Sequence, residues 1–196
     1  VILHICNIVR HSMVLFIGNV QYYLMFEVLE CCWQELSQSM MRLRQEGGDL
    51  DQLIQAHHRY LLQIIDQALL SKTQKELKNQ LEKVLHFVVE YIRTQDLVAT
   101  TVEDIIQKQK LKNDREMEQQ SHMHDDDVNS SHLDSELFDS RADQSILEQC
   151  VTRVQSLKQQ YEEQSLIFLR MLEKQKSNEV LEYLKYRLQY SANRDD

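Results

Sequence analysis

The sequence predicts an all-α fold, an antiparallel bundle of long helices with one acidic mobile loop, forming a single helical domain over residues 1–196. Three observations predict it. The 196 residues contain no proline and three glycines, where average usage would supply roughly ten and fourteen. Sandwiches and barrels take turn residues at most strand ends, and α/β folds take glycines in their βα turns; neither supply exists. Long stretches instead repeat apolar residues 3 and 4 apart, the period of one helix face.

A first helix runs from the start, or from about Met13, to about Gln45. Its apolar residues between Met13 and Trp33 occupy nearly every face, which predicts burial on several sides. Gly47-Gly48 ends it with a residue able to take φ > 0. Asp49 then caps a second helix over about 50–70, with Gln52 three residues on as the return half of a capping box. Leu50, Leu53, Ile54, His57, Leu61, Ile64, Ile65 and Ala68 form its apolar stripe. Ser71 to Thr73 make the turn, and Thr73 with Glu76 is a second capping-box pattern. The third helix carries a heptad-like seam of Leu77, Leu81, Val84, Val88, Tyr91, Gln95, Val98, Val102 and Ile105. Continued to about Gln119 it would reach about 70 Å at 1.5 Å per residue. Residues 120–143 are acidic and rich in histidine and serine with little to bury, and read as a disordered loop. A fourth helix over about 143–176 repeats the seam with Leu147, Cys150, Val154, Leu157, Tyr161, Phe168 and Met171. After Ser177-Asn178 a short last helix carries Val180, Leu184 and Leu188, with Tyr183, Tyr186 and Tyr190 alongside.

The net charge is −9, and six of those charges fall within 120–143, where Arg141 faces seven acids. No excess of cations is available to replace phosphate counterions, which excludes a general nucleic-acid binder. Residues 1–71 hold four basic and seven acidic side chains and no lysine, in keeping with burial. The longest uncharged run there, 11–26, is shorter than the ~20 residues a membrane span needs, so no membrane partner is expected. No small-residue cleavage site follows the apolar run, against a signal peptide. The chain begins without methionine in mid-pattern, as a piece of a longer protein would. Cys6, Cys31, Cys32 and Cys150 form no CxxC pair and read as free thiols of a reducing compartment.

The clusters of residues suited to catalysis or metal binding each lack what that chemistry needs. His122, His124 and His132 with Asp125, Asp126 and Asp127 supply zinc-type ligands, but a mobile loop gives them no supporting shell, so no metal is expected. His57-His58 lacks the glutamate of a zinc-protease helix. Cys31 and Cys32 lie mid-helix beside Glu30, which opposes thiolate formation. Three glycines placed as these are cannot cradle a phosphate. No cofactor and no enzymatic activity are expected. What remains is surface: the run from Gln21 to Glu30, then Trp33, carries aromatic rings with polar rims, the composition of protein–protein contacts. The same rings could equally pack inside the bundle.

At these residues a family resemblance enters. NVQYYLMFEVLECCWQEL (19–36) resembles the signature helix of the second Grip domain in gamma-tubulin complex proteins. DLDQLIQAHHRYLLQIIDQALLS (49–71) and LEYLKYRLQY (181–190) resemble two further segments of that domain at the appropriate distances. FEVLEC before Trp33 and the paired AHHRYL are most similar to the third-component branch of the family. The acidic loop departs from the family pattern.

The resemblance implies a non-enzymatic, gamma-tubulin-binding module, the distal part of the second Grip domain. It implies partnership with other complex components, notably the second, in a complex that templates microtubule nucleation. Its place would be the cytoplasm and cytoskeleton, at a microtubule-organising centre such as a centrosome or spindle pole. The residues expected to meet gamma-tubulin are the exposed members of Tyr22, Tyr23, Glu27 and Glu30, with Trp33 as a packing anchor. The alternative is a coiled-coil scaffold that self-associates or recruits an adaptor, because intermolecular seams use the same heptad pattern.

Overall fold

The computed structural model describes residues 2–120, 130–175 and 179–192, and among them every extended element is helical. Helix α1 (Ile2–Tyr22) passes without a break into a π-helical segment (Tyr23–Glu30) and then α2 (Cys31–Glu46). Helix α3 (Leu50–Gln67) follows, then a single 3-10 turn (Lys72–Gln74), α4 (Lys75–Gln120), α5 (Ser130–Lys174) and α6 (Glu179–Ala192). Residues 121–129 of the expected acidic loop lie outside the described residues. The backbone is helical from Ser130, thirteen residues before the expected start at 143.

Local chemistry explains the boundaries. Gly47 takes φ 72° after α2, and its neighbour's amide, Gly48 N–H, donates to the Leu43 carbonyl at 2.7 Å, closing the helix end as a left-handed cap does. Asp49 caps α3 with both halves of the capping box formed: Gln52 N–H donates to Asp49 Oδ1 at 2.9 Å, and Asp49 N–H donates to Gln52 Oε1 at 3.3 Å. The Thr73–Glu76 box expected before α4 is replaced by a tighter turn. Gln74 N–H donates to the Ser71 carbonyl at 3.2 Å, and the Ser71 and Thr73 hydroxyls meet at 2.8 Å.

The chain divides into two compact units, residues 1–6 with 89–159, and residues 7–88 with 160–196. In the first, the expected seam is buried at Tyr91, Val98 and Ile105 on α4 and at Val154 on α5. Tyr91 donates its hydroxyl hydrogen to the Cys6 carbonyl. Two contacts fix an antiparallel α4–α5 pair in this unit. Arg153 donates to the Thr94 hydroxyl at 3.5 Å, and Lys108 lies 3.9 Å from the Asp143 carboxylate.

In the second unit, Phe16 of α1 meets the rings of Tyr161 and Phe168 on α5 edge to face, at centroid distances of 6.2 and 6.1 Å. Such pairs add about 0.5–1.5 kcal/mol to the burial of the rings themselves. Gln80 is buried on the α4 seam, and its amide is satisfied by the main-chain and side-chain oxygens of Gln164 at 3.0 and 2.9 Å. Leu181, Leu184 and Leu188 bury the inner face of α6.

The continuous helix over 2–46 buries one stripe, not several sides. Cys6, Val9, Met13, Phe16, Val20 and Tyr23 point inward at steps of 3 and 4, then Val28, Cys32 and Leu36. Val14, Met25, Phe26 and Trp33 face outward, because a sequence that is apolar on every face does not by itself supply neighbours for each face. By length and composition alone, His4–Glu46 is apolar enough to cross a membrane. Only 28% of its most apolar stretch is buried within the protein, so one stripe is covered and the other faces are open.

Candidate partner-binding surface

The step from Tyr23 to Val28 is five residues, not three or four. An unbroken α-helix continuing from Tyr23 would turn Glu27 and then Gln34 inward. The π-helical segment absorbs the extra residue, which keeps Val28, Cys32 and Leu36 on the buried side. It leaves Met25, Phe26 and Leu29 exposed. Wide turns of this kind are rare and recur at functional sites.

The five residues singled out in the sequence are placed unequally. Tyr22 is about one-third exposed; its ring stacks with Phe26 at 4.6 Å and lies under the Arg187 guanidinium, 3.6 Å from the ring centroid. This cation–π contact ties α6 to the last residue of α1, just before the π segment. Tyr23 is 1% exposed and donates its hydroxyl hydrogen to the Gln67 carbonyl at 2.7 Å. Burial, reinforced by Asp66, Cys32 and Glu27, pushes its phenol well above the ordinary tyrosine range. It is therefore a structural fastener and presents no surface. Glu27 is half-buried; Glu30 is exposed and accepts from Gln34 at 3.1 Å. Trp33 is 51% exposed, so the packing role expected of it is only partly met: one edge stands against Tyr60 at 6.4 Å and the rest faces outward.

Beside Trp33 lies a groove of about 490 Å³ in the angle of the α2–α3 hairpin. Met40, Met41 and Leu43 wall it from α2, Leu50 and Leu53 from α3, and Arg44 and Asp49 give it a polar end. The stripe expected to bury α3 is mostly open. Leu50 is 70% exposed and Ile54 57%, Leu61 and Ile65 are also exposed, and no residue of the helix is fully buried. Tyr183, Tyr186 and Tyr190 stand exposed on α6, and Lys185 lies 4.7 Å over the Tyr186 ring. Arg187 had no signature in the sequence, because its partner ring is 165 positions away along the chain. The openness of the α3 stripe was equally invisible, since amphipathic spacing does not say whether a face is covered.

The arrangement offers recognition chemistry. Cys31 is exposed, but its thiol is pushed up by partial burial and by Glu27, Glu35 and Glu30; Cys32 is pushed up by burial and Glu35, and donates to Gln67 Oε1 at 3.3 Å. Raised thiols are poor nucleophiles at neutral pH. His57 lies beside the Tyr60 ring at 6.1 Å and is exposed, not facing a core. Among the described residues no three metal-ligating side chains converge; the side chains of His122, His124 and His132 lie outside that description.

Comparison with known proteins places these features in a family. Residues 1–192 match the family model described as gamma tubulin complex component C-terminal. The gamma-tubulin complex component 3 homolog of Xenopus laevis is 36% identical over 120 residues, covering 61% of this chain and 13% of that protein. Human gamma-tubulin complex component 3 is 37% identical over 123 residues, with the same coverage. Spindle pole body component 98 of Dictyostelium discoideum is 49% identical over 71 residues, 36% of this chain and 8% of the relative. The matched stretch thus spans about an eighth, or less, of these relatives. The chain belongs to the gamma-tubulin complex component family, within its C-terminal region, and is similar to the third component.

Proposed function

We propose that this chain is a non-enzymatic module that binds gamma-tubulin and holds it in the complex that templates microtubule nucleation. The observation that carries this reading is the family match across residues 1–192. The open aromatic and apolar side chains along 22–33 and the α2–α3 groove support it, because rings with polar rims supply much of the energy at protein contacts. The mechanism is presentation. Long helices, seamed at Leu77, Val84, Tyr91, Val98 and Ile105, hold a recognition surface in place, and the geometry of the template lowers the nucleation barrier without covalent chemistry. Any nucleotide belongs to gamma-tubulin.

Tyr22, Glu27, Glu30 and Trp33 are the proposed contacts, with Tyr23 supporting them from below. Other complex components, notably the second, are the further partners, and the site of action is a microtubule-organising centre of the cytoskeleton. Two relatives carry the printed name of spindle pole body components, in Dictyostelium discoideum and Schizosaccharomyces pombe, in keeping with that location. The test is capture of purified gamma-tubulin by the immobilised full-length protein. Retention of gamma-tubulin, reduced by Trp33→Ala, is the expected result. No retention by protein whose helicity and cooperative melting show it folded would overturn the reading.

A further inference from the structure

We infer that the α2–α3 hairpin, residues 31–67, is a paddle that swings away and opens as one cooperative unit, and that the π-helical segment Tyr23–Glu30 is its hinge. Three independent features of the second unit support this. The hinge has an identifiable cause, because the five-residue step from Tyr23 to Val28 forces a wide turn. Turns of this kind are among the few identifiable places where helices bend.

The packing of the hairpin is equally informative. The backbones of α2 and α3 approach each other and the π segment, and α6 reaches the same π segment. Across 31–67 only Cys32 and Leu36 are buried, whereas α4 in the same unit buries Leu77, Gln80, Val84 and Val88 within twelve residues. Few buried apolar contacts mark a segment that opens at low free energy. The third feature is the fastening. Tyr23 donates to the Gln67 carbonyl and Cys32 to the Gln67 side chain, so both bonds converge on the base of the hairpin. Just beyond, Leu69 sits at φ 62°, a backbone region costly for a residue with a Cβ. The chain therefore enters and leaves the paddle through two irregular backbone segments at the same level. Rotation about them would change the angle at which Trp33, Met40, Leu50 and Leu53 are presented. The inference does not depend on what the paddle meets.

Native-state hydrogen exchange of the full-length protein, read by mass spectrometry, tests it. Amides of 31–67 are expected to open together and exchange at least tenfold faster than those of 77–88. Tyr23→Phe removes one fastener and should accelerate 31–67 by roughly fivefold while leaving 77–88 unchanged. Deleting Met25 restores a four-residue step to Val28, hence a continuous α-helix with the same buried stripe, and should slow exchange across the hairpin. Protection of 31–67 equal to that of 77–88 would overturn the inference. So would equal acceleration of both segments by Tyr23→Phe, or hairpin exchange unaltered in a folded Met25-deleted protein.

Discussion

Leu69 allows a prediction in which two physical effects oppose each other with known signs. It is 2% exposed, and its φ of 62° lies in the left-handed region. The turn is held by the Ala68 amide on the Ile64 carbonyl at 2.8 Å and the Leu70 amide on the Ile65 carbonyl at 2.9 Å, so the conformation is imposed by the way α3 ends. Truncating a buried leucine to alanine costs about 2–5 kcal/mol in lost transfer energy and residual cavity. Leu69→Ala loses that and keeps the left-handed penalty, which is about 1–2 kcal/mol for any residue with a Cβ. Leu69→Gly loses the same packing but removes the penalty, offset by the greater freedom of glycine in the unfolded chain, about 0.4–1 kcal/mol. Glycine should therefore be the milder substitution, by about 1 kcal/mol, reversing the usual order within a protein interior. Urea unfolding followed by far-ultraviolet circular dichroism, with the slope held equal across variants, reads the difference as a shift in midpoint. A Leu69→Gly protein less stable than Leu69→Ala would refute the reasoning.

Other consequences follow from single contacts. Asp49→Ala removes the capping box of α3 and should cost about 1 kcal/mol, measured by the same denaturation. Phe16→Ala deletes a ring buried between Tyr161 and Phe168 and should cost about 3–5 kcal/mol, visible as a large fall in Tm. Cys31, although exposed, should react with a disulfide reagent more slowly at pH 8 than a model thiol, because partial burial and Glu27, Glu35 and Glu30 all raise it. Its rate should still be climbing above the ordinary thiol range. Tyr23 titrates above its unfolded value, so its contribution to stability is fully present below pH ~10 and is lost as pH rises beyond that; Tyr23→Phe should flatten this alkaline decline in Tm.

The legible part of the fold was the part governed by local pattern. Val84, Tyr91, Val98 and Ile105 repeat every seven residues and are buried at that period; Gly47 and the Asp49–Gln52 box mark a boundary to the residue. The π segment was hidden because both its flanks obey helical spacing, and only the five-residue step between them betrays it. The open stripe from Leu50 to Ile65 was hidden for a different reason. Periodicity identifies a face that can be buried, whereas burial itself depends on which distant element arrives. Within the candidate surface, the aromatic run from Tyr22 to Trp33 was visible as composition. The division of labour inside it, with Tyr23 inward on Gln67 and Tyr22 outward under Arg187, came from tertiary geometry alone.

The surface from Tyr22 to Trp33 and the α2–α3 groove is proposed to hold gamma-tubulin and not to pair copies of the chain. Light scattering coupled to size exclusion, on the full-length protein alone and then mixed with purified gamma-tubulin, separates the two possibilities. The expected result is one copy per particle alone, and on mixing a particle heavier by the mass of one gamma-tubulin. A stable particle of twice the protein's own mass that takes up no gamma-tubulin would contradict it.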